Sequence, residues 1–496
     1  MEIKEIINLC EERFGVSPDK VEELPGAGSS RRYFRLWLPE GDETKHMLPL
    51  TVIATFGEDV RENEAFTGLS RVFHRYAHSG SVALAPAIYA VSESGHIYLQ
   101  QDLGSLSFLD WMKRMRLEGE DGKEKIKEGV TRVIVGLLQI QNIPYRLIED
   151  YIMSAGFGRR RIESDLDYFK NCFLRPSGVG FNEERLDAEI ARFAERAADY
   201  PPAMEGFMLR DCQSRNIMVD GYDMDGIAVR FIDFQGGTVG PMIYDAISFL
   251  WQAKAGFSKE ERWSLLEDYA RWLSGWRDIS PDQSLAVARP LIVLRLLQVL
   301  GAYGFRGLIE HKAHFIESIP LALDNLQEAV DDGLLADYPE LERCCRELAG
   351  LERFRPEVRD DGLHVEILSF SYKKGYPENL TGNGGGFVFD CRGMHNPGRY
   401  EEYKSLTGRD RAVIDFLEER GEVQEFMKNV RGLVVPSVET YKRRGFSDLQ
   451  VAFGCTGGRH RSVYCAESLA AYLTANYPDI HVTLIHREQS IKIRKS

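Results

Sequence analysis

Among the eight cysteines of this 496-residue chain there is no C-x-x-C pair, and the adjacent Cys344 and Cys345 cannot form a zinc half-site of the usual spacing. Scattered, unpaired cysteines suit a reducing compartment, so reduced thiols and a cytoplasmic location are expected. Positive charge is also short. The 62 Lys and Arg are outnumbered by 76 Asp and Glu, a formal net charge of −14. That balance disfavours non-specific binding to nucleic acid, although a local basic patch is compatible with it. No apolar run is read as approaching the roughly 18–20 residues of a membrane span, and Met1–Glu5 carries no apolar leader core, so no membrane partner is expected. Internal repeats and low-complexity tracts are absent too. What remains is ordinary globular composition, 44% hydrophobic and 28% charged. At roughly 100–200 residues per domain, the length allows two to four domains.

The pattern changes along the chain. Residues 1–15 read as an amphipathic helix, followed by a small-residue turn, Pro25–Ser30. Strands are expected at Tyr33–Leu38, Leu50–Thr55, Ala87–Val91 and Ile97–Gln101. A helix from Arg61 to Tyr76 would place Phe66, Leu69, Phe73 and Tyr76 on one face. This is a small α+β unit. From Leu103 to Leu335 the pattern is mainly helical, broken by short strands near 217–220 and 228–232. Residues 336–361 begin as a charged helix and then read as a linker. A new alternation at His364–Phe370 opens a second domain, in which strands and helices alternate as in an α/β fold.

The sharpest chemical motif is Phe207–Val219, in which Asp211 and Asn216 stand five apart and an apolar strand follows at once. A second apolar strand ends in Ile232-Asp233-Phe234-Gln235, with Asp233 seventeen residues beyond Asn216. Phosphoryl transfer needs a carboxylate to orient and deprotonate the acceptor hydroxyl, and oxygen ligands for Mg²⁺ on the nucleotide phosphates. Asp211 fits the first role; Asn216 and Asp233 fit the second.

This segment resembles the catalytic loop and metal-binding motif of the aminoglycoside phosphotransferase family, over residues 15–335. Within that family, Ser29–Arg35, Gln101–Gly104, and Asp233–Gln235 leading to Gly240-Pro241 and Tyr244-Asp245 look most like the bacterial kinases that phosphorylate N-acetylmuramate and N-acetylglucosamine at the anomeric hydroxyl. The resemblance implies a two-lobed, protein-kinase-like α+β domain, with an N-lobe at 1–102, a C-lobe at 103–335 and a linker at 336–361. It implies ATP and Mg as cofactors. Gly28, Ser29 and Ser30 would cover the nucleotide phosphates with backbone N–H groups. Gln100 to Asp102 would form the hinge against adenine, and Asp245 would brace the catalytic loop. Two positions depart from the kinase pattern: Leu209 replaces the usual His, and the strand Thr51–Phe56 has no phosphate-gripping Lys. Glu64 is then left without that partner, and Arg31 or Arg32 is the available substitute.

In the second domain, the strand Val451–Phe453 enters Gly454-Cys455-Thr456-Gly457-Gly458-Arg459-His460-Arg461-Ser462, which opens onto a helix. Free N–H groups, a helix dipole and cationic side chains make an anion site, best suited to phosphate. The Cys455–Arg461 spacing also fits the loop of tyrosine phosphatases, though no general-acid loop accompanies it. Residues 362–496 resemble the C-terminal domain of the RNase adapter protein RapZ, through Ser369–Gly375, Phe389–Arg392 with Asn396-Pro397, Leu406–Gly408 and Gly454–Tyr464. That resemblance implies binding of a phosphorylated amino sugar by Lys373, Arg392, Asn396 and residues Cys455 to Ser462. The basic tail Ile491–Lys495 is compatible with RNA contact, but a solvated terminus is favoured. His395 and His481 read as packing residues rather than metal ligands.

Together the resemblances imply an ATP-dependent amino-sugar kinase of cell-wall recycling with a C-terminal metabolite-sensing domain. The alternatives are a regulatory phosphosugar sensor with RNA or protein partners and a vestigial kinase domain, and a bifunctional kinase/phosphatase using Cys455. Nothing in the sequence sets the oligomeric state.

Overall fold

The structure, a computed structural model, describes residues 2–24, 31–39, 49–76, 83–154, 156–223, 226–310, 312–354, 362–377 and 386–495. The turn carrying Gly28, Ser29 and Ser30 lies outside them. The chain divides into two compact units, Met1–Glu352 and Arg353–Ser496.

The first unit opens with the helix Glu2–Phe14, then strands β1 (Lys20–Glu23), β2 (Arg32–Trp37), β3 (Thr51–Phe56), β4 (Ile88–Val91) and β5 (Ile97–Gln101). They form an antiparallel sheet in the order β1-β2-β3-β5-β4. Alternation decides its faces. Phe34, Leu36, Val52, Ala54, Ile97 and Leu99 turn to one side and meet Ile6, Leu9 and Cys10 of the first helix. The helix Val60–Tyr76 buries Phe66, Leu69 and Phe73, as its spacing predicts, while Tyr76 is exposed.

The helical lobe holds two short antiparallel strand pairs, β6 (Glu205–Met208) with β9 (Thr238–Pro241) and β7 (Ile217–Asp223) with β8 (Gly226–Phe231). Its central helix, Pro281–Tyr303, packs against the helices Arg159–Phe169, Ile243–Leu250, Lys259–Ser274 and Ile319–Asp331. By length and composition the stretch Pro281–Ile309 is apolar enough to cross a membrane, contrary to the expectation that no such run exists. Its apolar residues are instead the core of this lobe: Leu291, Ile292, Val293, Leu294, Leu296, Leu297 and Leu300 are all buried. Residues beyond 335 also belong to this unit, and not to a linker alone. The helix Pro339–Ala349 is capped by Glu189, whose carboxylate accepts from Glu340 N and Leu341 N at 3.1 and 2.8 Å.

The second unit is a mixed five-stranded sheet, β11-β12-β10-β13-β14, from β10 (Leu363–Ser371), β11 (Gly386–Asp390), β12 (Asp448–Cys455), β13 (Ile480–His486) and β14 (Ile491–Arg494). Strands β10, β11, β12 and β13 run parallel, and β14 returns antiparallel to β13. One face of the sheet carries the main core with the helices Arg411–Glu418, Glu422–Arg444 and Arg461–Asn476, and the other holds a smaller cluster of Leu368, Phe370 and Ala452, so that β12 is buried almost throughout. The basic tail is therefore not a loose terminus. Ile491 to Arg494 pair with β13, and Lys495 forms an ion pair with Glu467 at 3.1 Å.

Candidate active site

The loop after β6 carries Asp211, and its shape is imposed from beneath. Asp245, fully buried on the helix Ile243–Leu250, accepts from Leu209 N at 2.7 Å and Arg210 N at 2.8 Å, and from the Gln141 amide at 3.2 Å. Burial pushes its carboxyl up to about 7, working against N–H donors that favour the charged form. Arg210 is held at φ 71° and Asp233 at φ 60°, left-handed backbone that non-glycine residues seldom adopt. One outlier precedes Asp211 and the other is the motif residue Asp233, the kind of place where local backbone strain concentrates.

Asp211, Asn216 and Asp233 converge. The Asn216 amide lies 3.5 Å from one oxygen of each carboxylate and donates to Asp211 O at 3.0 Å. Asp211 Oδ1 accepts from Arg295 Nη2 at 3.0 Å and from the Gln213 amide, and Arg215 stands 3.8 Å from Oδ2. Burial raises the Asp211 pKa, but the Arg295 guanidinium, Arg215 and Gln213 outweigh it, so the carboxyl sits below its usual value. Asp233 moves the other way, raised by burial and by the nearby Asp211 charge against the pull of Gln235. Two carboxylates and one amide are hard oxygen donors of the kind Mg²⁺ takes, and their mutual repulsion is what a cation would relieve.

Arg295 is a member of this site that sequence reasoning missed. It is buried on the helix Pro281–Tyr303, tied through Gln298 to Tyr244 and Asp165. A lone Arg inside an apolar helical run was its visible signal.

Phe234, next to Asp233, stacks on Phe66 at 4.7 Å and meets Phe73 at 5.0 Å, so the helix Val60–Tyr76 is packed onto the segment that carries Asp233. The same helix presents Glu62, not Glu64, to Arg31: the ion pair is 3.1 Å, and the Arg31 side chain is buried. Glu64 is exposed. Arg31 acts electrostatically on Asp233, whereas Arg32 is bound on the outer side by Glu23, at 2.8 Å, and Glu2. Of the two arginines, Arg31 and not Arg32 is thus the one placed toward the site. Gln100 donates to Thr55 Oγ1 at 3.0 Å, and Asp102 takes both Arg35 Nε and Nη2, at 2.6 and 3.0 Å. Both side chains are thus engaged within the lobe, and the backbone of Gln100 and Gln101 is paired in the sheet.

In the second unit, parallel pairing sets Ser371 of β10 beside Cys455 of β12, and Asp390 of β11 beside Gly454. Lys373, Arg392 and Asn396 follow the first and third of these strands, so they gather with Cys455–Ser462 at the carboxyl edge of the sheet. That edge is where open α/β sheets bind ligands. Cys455 Sγ is 3.1 Å from Ser462 Oγ and accepts from Gly458 N at 3.2 Å. Burial opposes its ionisation, but Ser462, the loop N–H groups and Arg461 bring the thiol below its usual value. The cationic side chains brace the loop: Arg459 donates to Ser405 O, His460 meets Tyr403 O, and Arg461 donates to Arg392 O and Met394 O. Arg392 is committed to Asp390 and lies over the Tyr372 ring. His395 pairs with Glu422 and His481 stacks on His364. No group of three metal-binding His, Cys, Asp or Glu occurs among the described residues.

An antiparallel N-lobe, a helical lobe and a braced Asp loop facing a second Asp define a protein-kinase-like phosphotransferase fold. The chain belongs to the phosphotransferase enzyme family, which it matches over residues 20–281, and residues 363–490 match the RapZ C-terminal domain. Among relatives, a nucleotide-binding protein of Thermodesulfovibrio yellowstonii is 35% identical over 149 residues, 30% of this chain and 48% of that protein. A nucleotide-binding protein of Paraburkholderia phytofirmans is 37% identical over 140 residues, 28% of this chain and 44% of that one. The chain thus spans less than half the length of either. Among solved structures, the GDP complex of aminoglycoside 2′-phosphotransferase-IIIa aligns over 66% of this chain and 98% of its own, at 11% identity and TM-score 0.42. A choline/ethanolamine kinase family protein of Mesorhizobium loti aligns over 70% and 100%, at 12% identity and TM-score 0.39.

Proposed function

We propose that the first unit transfers a phosphoryl group from ATP to a hydroxyl of an amino sugar of the N-acetylmuramate or N-acetylglucosamine type, at the anomeric position, in the cytoplasm. The observation that carries this reading is the convergence of Asp211, Asn216 and Asp233 on a loop braced by Asp245. Asp211 would receive the acceptor's proton, and Arg295 would hold its carboxylate in place and charged. Asn216 and Asp233 would hold Mg²⁺, which when bound neutralises charge on the nucleotide phosphates. Arg31, clamped by Glu62, would supply the positive charge that the lysine-free strand β3 does not. That pair answers one of the two features that favoured a vestigial kinase, the missing lysine; the other was the basic tail. The amino-sugar assignment is supported by the motifs at Ser29–Arg35 and Gln101–Gly104. The second unit would bind a phosphorylated amino sugar at the carboxyl edge of its sheet and serve as a sensor.

ATP turnover with Mg²⁺ is the test, against N-acetylmuramate, N-acetylglucosamine, glucosamine and an aminoglycoside. Sugar-dependent turnover is expected, reduced about 10²–10⁴-fold in Asp211→Asn, the range for losing a general base. Folded protein that turns over ATP with no acceptor in the panel would leave the sensor reading in its place.

A further inference from the structure

The cavity beside Asp211 reverses the sign of the chain around it. A space of about 890 Å³ opens from Asp211 along the helices Arg159–Phe169 and Pro281–Tyr303. Its lining includes five cations, Arg161, Arg215, Arg295, Arg306 and Lys312, against the two carboxylates Asp165 and Asp211, in a chain of net charge −14. Arg295 pairs with Asp211 at 3.0 Å, and Arg215 stands 3.8 Å from the same carboxylate. The other three share two carboxylates. Arg161 reaches Asp165 only at 3.5 Å, and Arg306 and Lys312 share one carboxylate, Glu310, at 3.0 and 2.9 Å.

The placement of Arg306 is itself unusual. The helix Pro281–Tyr303 continues into a π-helical turn, Gly304–Ile309, which widens the helix and carries Arg306. The facing helix does the same at Lys170–Leu174, just after Tyr168 of the cavity wall. π-helical turns are rare and concentrate at functional sites. Tyr168, Tyr303 and Phe315 add aromatic surface to the wall, against which the apolar side of a sugar can pack.

We propose that the acceptor bears an anionic group, a carboxylate or a phosphate, besides the hydroxyl that Asp211 serves, and that Arg161, Arg306 and Lys312 hold it. This rests on the phosphotransferase reading of Asp211. Guanidinium and ammonium donors gain most from oxyanions, through short, charge-assisted hydrogen bonds. A polycation such as an aminoglycoside, or a quaternary amine, would meet repulsion in the same space. The inference therefore divides the amino sugars by charge. N-acetylmuramate carries a carboxylate and glucosamine 6-phosphate a phosphate, whereas N-acetylglucosamine is neutral.

Binding and turnover separate the two ideas. Calorimetry on the full chain without nucleotide would compare N-acetylmuramate, glucosamine 6-phosphate, N-acetylglucosamine and kanamycin. The chain carrying both Arg306→Gln and Lys312→Gln would remove the cavity's share from any binding to the second unit. At least tenfold tighter binding of one anionic sugar over N-acetylglucosamine is expected, with the preference lost in the double variant at an unchanged unfolding temperature. Which anionic sugar binds tells carboxylate from phosphate. Equal binding of N-acetylglucosamine or kanamycin, an N-acetylmuramate preference that survives in the double variant, a glucosamine 6-phosphate preference that the double variant leaves undiminished, or no binding of either anion overturns the proposal. Asp211-dependent turnover that ignores acceptor charge would sink the anion site and leave the phosphotransferase standing. A cavity-dependent anion preference without turnover would do the reverse.

Discussion

A buried arginine can replace a lysine only if something fixes where its charge lies. Arg31 has that fixture in Glu62, 3.1 Å away on the helix that also packs Phe66 and Phe73 around Phe234. The pair therefore links the position of a positive charge to the position of Asp233, a coupling like that of the strand Lys and helix Glu in kinases. Removing the charge should cost what the loss of one preorganised electrostatic donor costs elsewhere, about 10²-fold in kcat. Arg31→Met should show that loss, chiefly in kcat and the KM for ATP, while Arg31→Lys recovers a large part of it. Acceptor KM should barely move. Steady-state kinetics with ATP varied decides the matter: a Met variant as active as the parent would show that Arg31 only packs.

The helices place the acceptor cavity by an unusually close approach. Gly304 begins the π-helical turn, and a Cβ there would lie 2.2 Å from Cys172 O and 2.6 Å from Cys172 C, backbone atoms that cannot swing aside. Gly304→Ala must push the two π-helical segments apart, at a cost of about 1–3 kcal/mol typical of overpacking. A lower unfolding temperature and a raised acceptor KM with little change in the KM for ATP are expected from melting curves and kinetics. An alanine variant of unchanged stability would mean that the close approach is not what positions the cavity. None of this was legible beforehand, because a π-helical turn leaves no period in the sequence and the partner of Gly304 lies 132 residues away. By contrast β2, β3 and β5 were readable from alternation, and Asp211, Asn216 and Asp233 from local spacing on one hairpin. Arg295 lies 84 residues from Asp211 and Glu62 lies 31 from Arg31, so only the folded packing could join them. The tail strand β14 was misread although Ile491 and Ile493 alternate with Lys492 and Arg494, because charge was weighed above period.

Across the whole molecule, the second unit has its own core, from Val365 and Ile367 through Val451 and Leu469 to Leu484, and one carboxylate joins several of its elements. Glu467, on the helix Arg461–Asn476 that follows the Cys455 loop, receives Arg409 at 2.9 Å, Lys495 at 3.1 Å and the buried His486 at 3.3 Å. It therefore joins that helix to β13 and to the end of β14. The hydrogen bond from His486 and the charges around it bring Glu467 down to about 2 from an ordinary 4.5. A carboxylate depressed on folding stabilises the native state above its unfolded pKa and loses that contribution as pH falls through the folded one. The window here is pH 4.5 down to 2, and the contribution at neutral pH is about 3 kcal/mol as an upper bound. At pH 6, Glu467→Gln should lower the thermal transition of the second unit by several degrees, and the gap should shrink by about half at pH 3, where the parent has lost much of the same term. Calorimetry of both full-length chains at the two pH values checks this, with the transition of the first unit as an internal control. A gap that stays constant with pH would mean that Glu467 contributes through packing rather than charge, and that the tail is held to the sheet by β13 pairing alone.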